Sequence, residues 1–486
     1  MTDRAKSSHS NITLELHLER STLHQMGIDA ERSLALPGSR MGESNLRARL
    51  QRCIFKNRPL VVAAVGNSMT DGAMNCMARH PFPCARNTAD VLATQHLRWG
   101  AGLQQILQRA LPCRVDVPVR ASGGAGSIFF STRFRDFVRA DDDVVIADWS
   151  ISDALSLGRD GSDFEAGEEL FVRQLRALRP HPPSFIHMES YPSFETAPMP
   201  CANRTAPAPR AVCEYYGTPL VSFMLAVCSV GDALSHSPTP ALRHWRAACT
   251  TDGSEASCKP VKTGGCGACA VHPGPTAHHI YALLLAHYLL GQAAVACSVP
   301  HEELQAASED ADPSLLPQGR LQTFQGCTRP MMTVGPFAST CGTPTVSQGW
   351  SCYADRPGKP GWIALANATH KLAFRMPMSR NGSIVVGYLR SYQGMANASV
   401  ALAGAKGAEV VLDGSWTSRS SQVVFRVIPV ALLAGPNVSG LKIASLGPFR
   451  LHRASIRDVV ITTRPSAHAQ GELATAKFKV VSVVSC

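Results

Sequence analysis

Between about residues 52 and 299 the chain alternates short runs of apolar and β-branched residues with longer stretches whose apolar positions recur at helical spacing. Residues 60–65, 114–119, 143–149, 184–189 and 220–225 read as strands, and residues 95–111, 164–178 and 276–290 as helices. In the second helix Leu170, Phe171, Leu175 and Leu178 share one face, while Arg173, Gln174 and Arg176 lie outside it. Strand–helix alternation of this kind predicts an α/β unit: a mostly parallel sheet with helices on both faces.

After Trp350 the pattern changes to short alternating runs, "KLAFRMP", "SIVVGYL", "ASVALAG", "EVVLDGSW" and "SQVVFRVI", separated by Gly, Asn and Ser with no helical period. Regular short strands with turn signals predict an all-β sandwich. Between the two patterns, residues 300–348 are rich in Pro, Gly, Ser, Thr and Gln and carry Cys327 and Cys341. The expected organisation is therefore a partly disordered N-terminal segment (1–51), an α/β domain (52–299), a linker (300–348) and a β-sandwich domain (349–486). A length of 486 residues suits two cores better than one.

A hydrophobic fraction of 45% with 17% charged residues places the chain among globular proteins. Its net charge of +11 is scattered, without a basic run, stripe or recognition motif, so no nucleic-acid partner is expected. Sixteen cysteines, many in polar or Pro/Gly-rich stretches, suit disulfides formed in an oxidising compartment. Asn11, Asn203, Asn367, Asn381, Asn397 and Asn437 each open an Asn-x-Ser/Thr triplet, which points the same way: a glycoprotein of the secretory lumen, the cell surface or the exterior. The first twenty residues have no signal-peptide core, so the natural start is expected to lie upstream or the chain to be the luminal part of a longer product. No run reaches the length of a membrane span; the nearest, "IYALLLAHYLLGQAAVA", is broken by His287 and Gln292.

Candidate chemistry begins where the first strand ends, in "LVVAAVGNSMTDG". In a parallel α/β sheet, ligands gather at the carboxyl ends of the strands. A serine there offers a hydroxyl to solvent beside backbone N–H groups able to meet an oxyanion, which makes Ser68 a nucleophile candidate. A nucleophilic serine needs a base, and His272, on a Pro/Gly loop just before the last helix, is the best placed. His278 and His279 fall inside the helical pattern and read as packing or capping groups.

Over residues 60–290 the chain resembles the SGNH (GDSL-like) hydrolase family, and in particular its eukaryotic and algal branch. "GNSMTDG" is similar to the family's first block, "ASGGAGS" to the second, "DVVIADWSISDA" to the third and "VHPGPTAHH" to the fifth. "FVRQLRALRPHPPSFIHMES" and "CEYYGTPLVSF" resemble further pieces of that branch, and "GWSCYADRPGKPGWIA" and "VVGYLRSYQGM" resemble its C-terminal β-rich extension. The resemblance implies a flavodoxin-like three-layer hydrolase domain followed by a β-sandwich. It implies Ser68 as nucleophile, His272 as general base, and an oxyanion hole from the backbone N–H groups of Ser68 and Gly124 together with residue 152. Two positions depart from the pattern: Ser152 stands where the family has asparagine, and Cys269 where the block has the aspartate that supports the histidine. A backbone carbonyl or another acid such as Asp252 could take that aspartate's place. Cys249, Cys258, Cys266 and Cys269 beside His272 have the residue types of a zinc site, but an oxidised chain assigns them to disulfides, and no metal or cofactor is expected.

The implied function is an ester hydrolase acting on acylated glycans or small esters through a Ser–His acyl-enzyme. A sugar hydroxyl in place of water would make it a glycan O-acyltransferase. A protein that kept the fold and lost the chemistry would instead bind glycans, presenting Trp362, Tyr388, Tyr392 and Trp416 from the sandwich; the competing reading makes these rings core.

Overall fold

The computed structural model describes residues 3–36, 40–71, 98–155, 162–178, 182–190, 207–227, 275–299, 332–334, 342–355, 360–365, 368–378, 382–391, 394–405, 409–415, 422–434, 455–463 and 476–485. The chain divides into two compact units, one of residues 1–130, 134–168 and 175–319 and the other of residues 131–133, 169–174 and 320–486.

Before residue 320 the described elements run α1 (Asp3–Gln25), α2 (Ala30–Ser33), β1 (Leu34–Leu36), α3 (Arg40–Lys56), β2 (Leu60–Gly66), α4 (Ser68–Asp71), α5 (Trp99–Ala110), β3 (Val115–Asp116) and β4 (Val119–Ala121). They continue through α6 (Ser127–Thr132), α7 (Phe134–Phe137), β5 (Val144–Asp148), α8 (Ser150–Leu155), α9 (Ser162–Arg176), β6 (Ser184–Glu189), α10 (Pro207–Tyr216), β7 (Leu220–Ser222), α11 (Phe223–Val227) and α12 (Pro275–Ser298). The sheet order is β1-β7-β6-β5-β2-β3, with β4 also on β2. Every pairing is parallel except that of β1 with β7. Chain order therefore reverses at β2: the chain steps first to β3 and β4 on one side, then to β5 on the other. That reversal opens a crevice at the carboxyl ends of β2 and β5.

Both faces of this sheet are apolar because both are covered. Val62, Ala64, Val144, Ile146, Ile186 and Met188 belong to one core cluster with residues of α1, α3, α5 and α12. Alternate residues Ala63, Val65, Val145 and Ala147 face the other way and are equally buried. The expected 114–119 strand appears as two pieces, β3 and β4, because Pro118 between them has no N–H for a ladder. The expected 220–225 strand stops at Ser222, where the Ser222 hydroxyl accepts the Leu225 N–H and starts a helical turn.

Residues 1–51 were expected to be partly disordered, yet they carry α1 and most of α3. In α3, Leu46, Leu50, Cys53 and Ile54 recur at helical spacing and are all buried. The longest of the described helices, α12, is long and apolar enough to cross a bilayer by length and composition, and most of it is buried.

Cys53 of α3 and Cys113 after α5 form a disulfide across a separation of 60 residues, and Cys352 is also disulfide-bonded. Cys213 and Cys297 are free and buried. Replacing Cys53 and Cys113 together by serine is expected to cost about 2–4 kcal/mol, because the open loop regains entropy in the unfolded chain. A urea titration of the variant under non-reducing conditions checks this through its midpoint.

The second unit contains β8 (Met332–Val334), β9 (Val346–Gln348), β10 (Trp350–Ala354), β11 (Pro360–Leu365), β12 (His370–Met378), β13 (Ser383–Arg390), β14 (Asn397–Leu402), β15 (Val410–Asp413), β16 (Gln422–Pro429), α13 (Val430–Ala434), β17 (Ser455–Thr463) and β18 (Lys477–Ser485). One antiparallel sheet has the order β10-β11-β18-β13-β16, with β8 also on β18, and the other has the order β15-β14-β17-β12-β9. This is the expected sandwich. Two of its strands, β8 and β9, come from residues read as linker.

Trp362 and Tyr388 lie in the sandwich core with Trp350, Phe374 and Phe478, and the Tyr388 ring stacks on Phe478 at 5.5 Å. These two rings are therefore packing groups, which corrects the glycan-platform reading for them. Tyr392 and Trp416 lie outside the described residues.

Candidate active site

β2 is apolar along its whole length and ends in a turn that needs Gly66. A Cβ there would lie 2.1 Å from Thr70 Oγ1 and 2.4 Å from the Asp148 carbonyl oxygen. The Asn67 N–H donates to that same carbonyl at 3.1 Å. Asn67 is fully buried: its Oδ1 caps the next helix by accepting the Met69 N–H at 2.8 Å, and its Nδ2 donates to Ser152 Oγ at 3.0 Å. Ser68 follows as the first residue of α4 and is half-buried.

Gly124 sits in the loop after β4, with φ of +77° and open space where a Cβ would project. A side chain at that φ would be strained and would reach into that space. Ser152 lies in the first turn of α8, after β5. Because β4 and β5 both pair with β2 up to Gly66, the segments bearing Ser68, Gly124 and Ser152 leave the sheet at one edge, the switch-point crevice. His272, Cys269 and Asp252 lie outside the described residues, and so does the cluster Cys249, Cys258 and Cys266. His278 is buried against Tyr281 at 6.0 Å between ring centroids, a packing role, and His279 is exposed. Of the six glycosylation candidates, Asn11 and Asn397 are described and exposed; Asn203, Asn367, Asn381 and Asn437 lie outside the described residues.

Behind the serine turn is a set of buried acids that the sequence reading did not use. Asp148, the last residue of β5, accepts hydrogen bonds from Thr70 Oγ1 at 3.1 Å and from the Ser190 hydroxyl. Burial raises its pKa to about 6, while bonds from Ser190 and Thr70, the charge of His187 and the Trp99 indole hold it lower than burial alone would. Further along the same edge, His187 Nδ1 meets Glu168 Oε1 at 2.8 Å, and the Trp149 indole donates to Glu168 Oε2 at 2.5 Å. Burial alone would lower the His187 pKa; the charge and hydrogen bond of Glu168, with Glu189 and Asp148, outweigh it and raise it. The signal that marks Asp148 was in "DVVIADW": a carboxylate closing an otherwise apolar, two-face-buried strand has to be paired.

Asp153, which closes the segment that resembles the third block, accepts the Ser127 N–H at 3.0 Å, pinning the start of α6. Burial is the main cause raising its pKa to about 8, against the bonds from Ser127. Its folded pKa lies above the unfolded value of 3.8, so the stability linked to its proton is complete below about pH 4 and is lost as pH rises through 8. Asp153→Asn keeps an acceptor for Ser127 and removes the titration. Its unfolding free energy is expected to fall less than the wild type's between pH 5 and pH 8, the difference being at most about 1.4 kcal/mol per pH unit. Parallel denaturation midpoints for the two proteins across that range would rule this out.

No protein-family model matches the chain, and no curated protein matches it. Among solved structures, a two-domain esterase active on acetylated mannans matches 94% of this chain and 98% of its own length, at 15% identity and a TM-score of 0.56. The same enzyme co-crystallised with mannopentaose matches 94% of this chain and 97% of its own length, at 16% identity and a TM-score of 0.55. The chain has the fold of a two-domain esterase. The likeness runs through both units, so the order of α/β domain and β-sandwich is shared as well as each architecture.

Proposed function

We propose that the protein is a carbohydrate esterase that removes acyl groups from glycans through a serine acyl-enzyme. The observation that supports the reading is that the segments bearing Ser68, Gly124 and Ser152 leave the sheet together at the switch-point crevice, in the order of the blocks that resemble the SGNH family's. The likeness in fold to an esterase active on acetylated mannans supports an acylated glycan as substrate.

In this mechanism Ser68 Oγ attacks the ester carbonyl carbon while His272 takes the hydroxyl proton. The oxyanion meets the backbone N–H groups of Ser68 and Gly124 and the Ser152 hydroxyl. Collapse breaks the ester C–O bond, and His272 returns the proton to the departing sugar oxygen. Water, deprotonated by His272, then cleaves the acyl-enzyme and releases the carboxylic acid. Asn67 holds Ser152 by its Nδ2, which keeps this shorter side chain facing the turn. The six sequons and the disulfides support a working place in the secretory pathway or outside the cell.

Incubation with an acetylated mannan oligosaccharide is expected to release acetate, and a fluorophosphonate probe is expected to label Ser68 and stop the release. A protein that releases acetate without labelling at Ser68 would move the chemistry elsewhere. Transfer of acetate to an added acceptor sugar, with no free acetate, would make it an acyltransferase.

A further inference from the structure

We propose that Glu168 is a positioning residue for the oxyanion hole: through the Trp149 indole it fixes the start of α8, and with it the Ser152 hydroxyl. The inference rests on the esterase reading and adds a residue to it. Trp149 follows the last residue of β5, and its carbonyl accepts the Asp153 N–H at 3.2 Å, the bond that opens α8. A serine hydroxyl is one bond from Cβ, so only the backbone can bring it within the about 2.7–3.1 Å that an oxyanion donor needs. The place of Trp149 therefore sets the place of Ser152, less than one helical turn on. The Trp149 ring is wholly buried, stacked on Phe130 at 5.2 Å, and its indole N–H donates to Glu168 Oε2 at 2.5 Å. Stacking lets a ring slide in its own plane; a hydrogen bond to a carboxylate stops it.

Glu168 is itself held, as a positioning group must be. Its Oε1 meets His187 Nδ1 at 2.8 Å, and His187 follows in β6 beside Ala147 of β5, so the carboxylate joins the sheet to the residue that leaves it. Its helix is pressed against α6. A Cβ on Gly167 would lie 2.7 Å from the Ile128 backbone nitrogen, and Ser127 Oγ donates to the Phe164 carbonyl at 3.1 Å. The Ser127 N–H on Asp153 then closes a ring of contacts through α9, α6 and α8. Ser152 is thus set at two points: by Asn67 Nδ2 on its oxygen, and by Glu168 through the start of its helix. Glu168 is buried and both its oxygens meet protein groups, so it acts through Trp149 and does not touch substrate.

Three substitutions separate the bond from the bulk. Glu168→Met keeps the length of the side chain and removes the acceptor, Trp149→Phe keeps a ring beside Phe130 and removes the indole N–H, and Glu168→Gln keeps an acceptor for the indole. The measurements are kcat and KM for acetate release from an acetylated mannan oligosaccharide, on the full-length wild type and on each variant alone and with Ser152→Ala. Ser152→Ala is expected to lower kcat by about 100-fold. Glu168→Met and Trp149→Phe are each expected to lower kcat by about tenfold with KM within about twofold, since a misplaced donor costs turnover rather than binding. Both are expected to lose that effect in the Ser152→Ala background, and Glu168→Gln to restore kcat to within about threefold of the wild type. Unchanged kcat in either Glu168→Met or Trp149→Phe, or losses that multiply in full with that of Ser152→Ala, would leave Glu168 a purely structural residue and overturn the proposal. Glu168→Gln as impaired as Glu168→Met overturns it too, and so does Ser152→Ala with wild-type kcat, which leaves Glu168 nothing to position. Should Glu168→Met fail to fold, Trp149→Phe with Ser152→Ala decides by the same comparison. Wild-type protein that neither reacts with a fluorophosphonate nor releases acetate overturns the esterase reading and this proposal with it; active wild type with unaffected variants overturns this proposal alone.

Discussion

Ser68→Ala is expected to lower acetate release from an acetylated mannan oligosaccharide by about 10⁴-fold or more while leaving the fold intact. Three bonds made by Asn67 and Asp71 hold the turn. Asn67 Oδ1 caps α4, the Asn67 N–H holds the Asp148 carbonyl, and the Asp71 N–H closes the helical turn on the Asn67 carbonyl at 3.0 Å. Alanine is at ease in the first turn of a helix, so the variant is expected to keep the turn while losing the proposed nucleophile. Initial rates by acetate assay, with circular dichroism to confirm folding, measure this; a variant that keeps wild-type turnover would remove Ser68 from the mechanism.

Gly66→Ala is expected to destabilise the α/β unit by more than about 4 kcal/mol, the largest single-residue effect on stability predicted for this chain. The added Cβ would meet Thr70 Oγ1 at 2.1 Å and the Asp148 carbonyl oxygen at 2.4 Å. The hydroxyl could rotate away only by giving up its bond to Asp148. The carbonyl belongs to the neighbouring central strand and already accepts the Asn67 N–H, so relief requires β2 and β5 to part. A urea midpoint close to wild type would show that the strands can move apart there. Gly124 differs in kind: its Cβ would enter open space, and its constraint is the positive φ alone.

Much of this architecture was legible in the sequence, because the central strands of the α/β unit are fully buried and helices such as α5 and α9 carry one apolar face. β6 occupies residues 184–189 as expected, and β2 runs one residue past the expected 60–65, through the glycine that the turn requires. Helix α3 escaped because its apolar stripe of Leu46, Leu50, Cys53 and Ile54 is diluted by basic residues, although its periodicity is there to be found. That Ser68, Gly124 and Ser152 follow strand ends was legible, since local turn chemistry leaves a local mark; their roles belong to the proposal. The support behind them was not: Thr70 and Asp148 are separated by 78 residues, and Ser190 and Asp148 by 42. Pairings at that range follow from strand order, which no short window of sequence records. Rings such as Trp362 and Tyr388 illustrate a different limit, because a strand's alternation does not say which of its faces turns inward.

The position of α12 sets an order for the birth of the molecule. It is the last described element of the α/β unit to leave the ribosome, yet it packs against α1, α3 and α5, all made much earlier. Until residue 298 emerges, Leu23, Leu46, Leu50, Leu103 and Leu107 have no covering partner from this helix. The seam formed by α1, α3 and α5 thus stays uncovered by this helix from about residue 110 to residue 298 of synthesis, the interval in which exposed apolar surface favours aggregation.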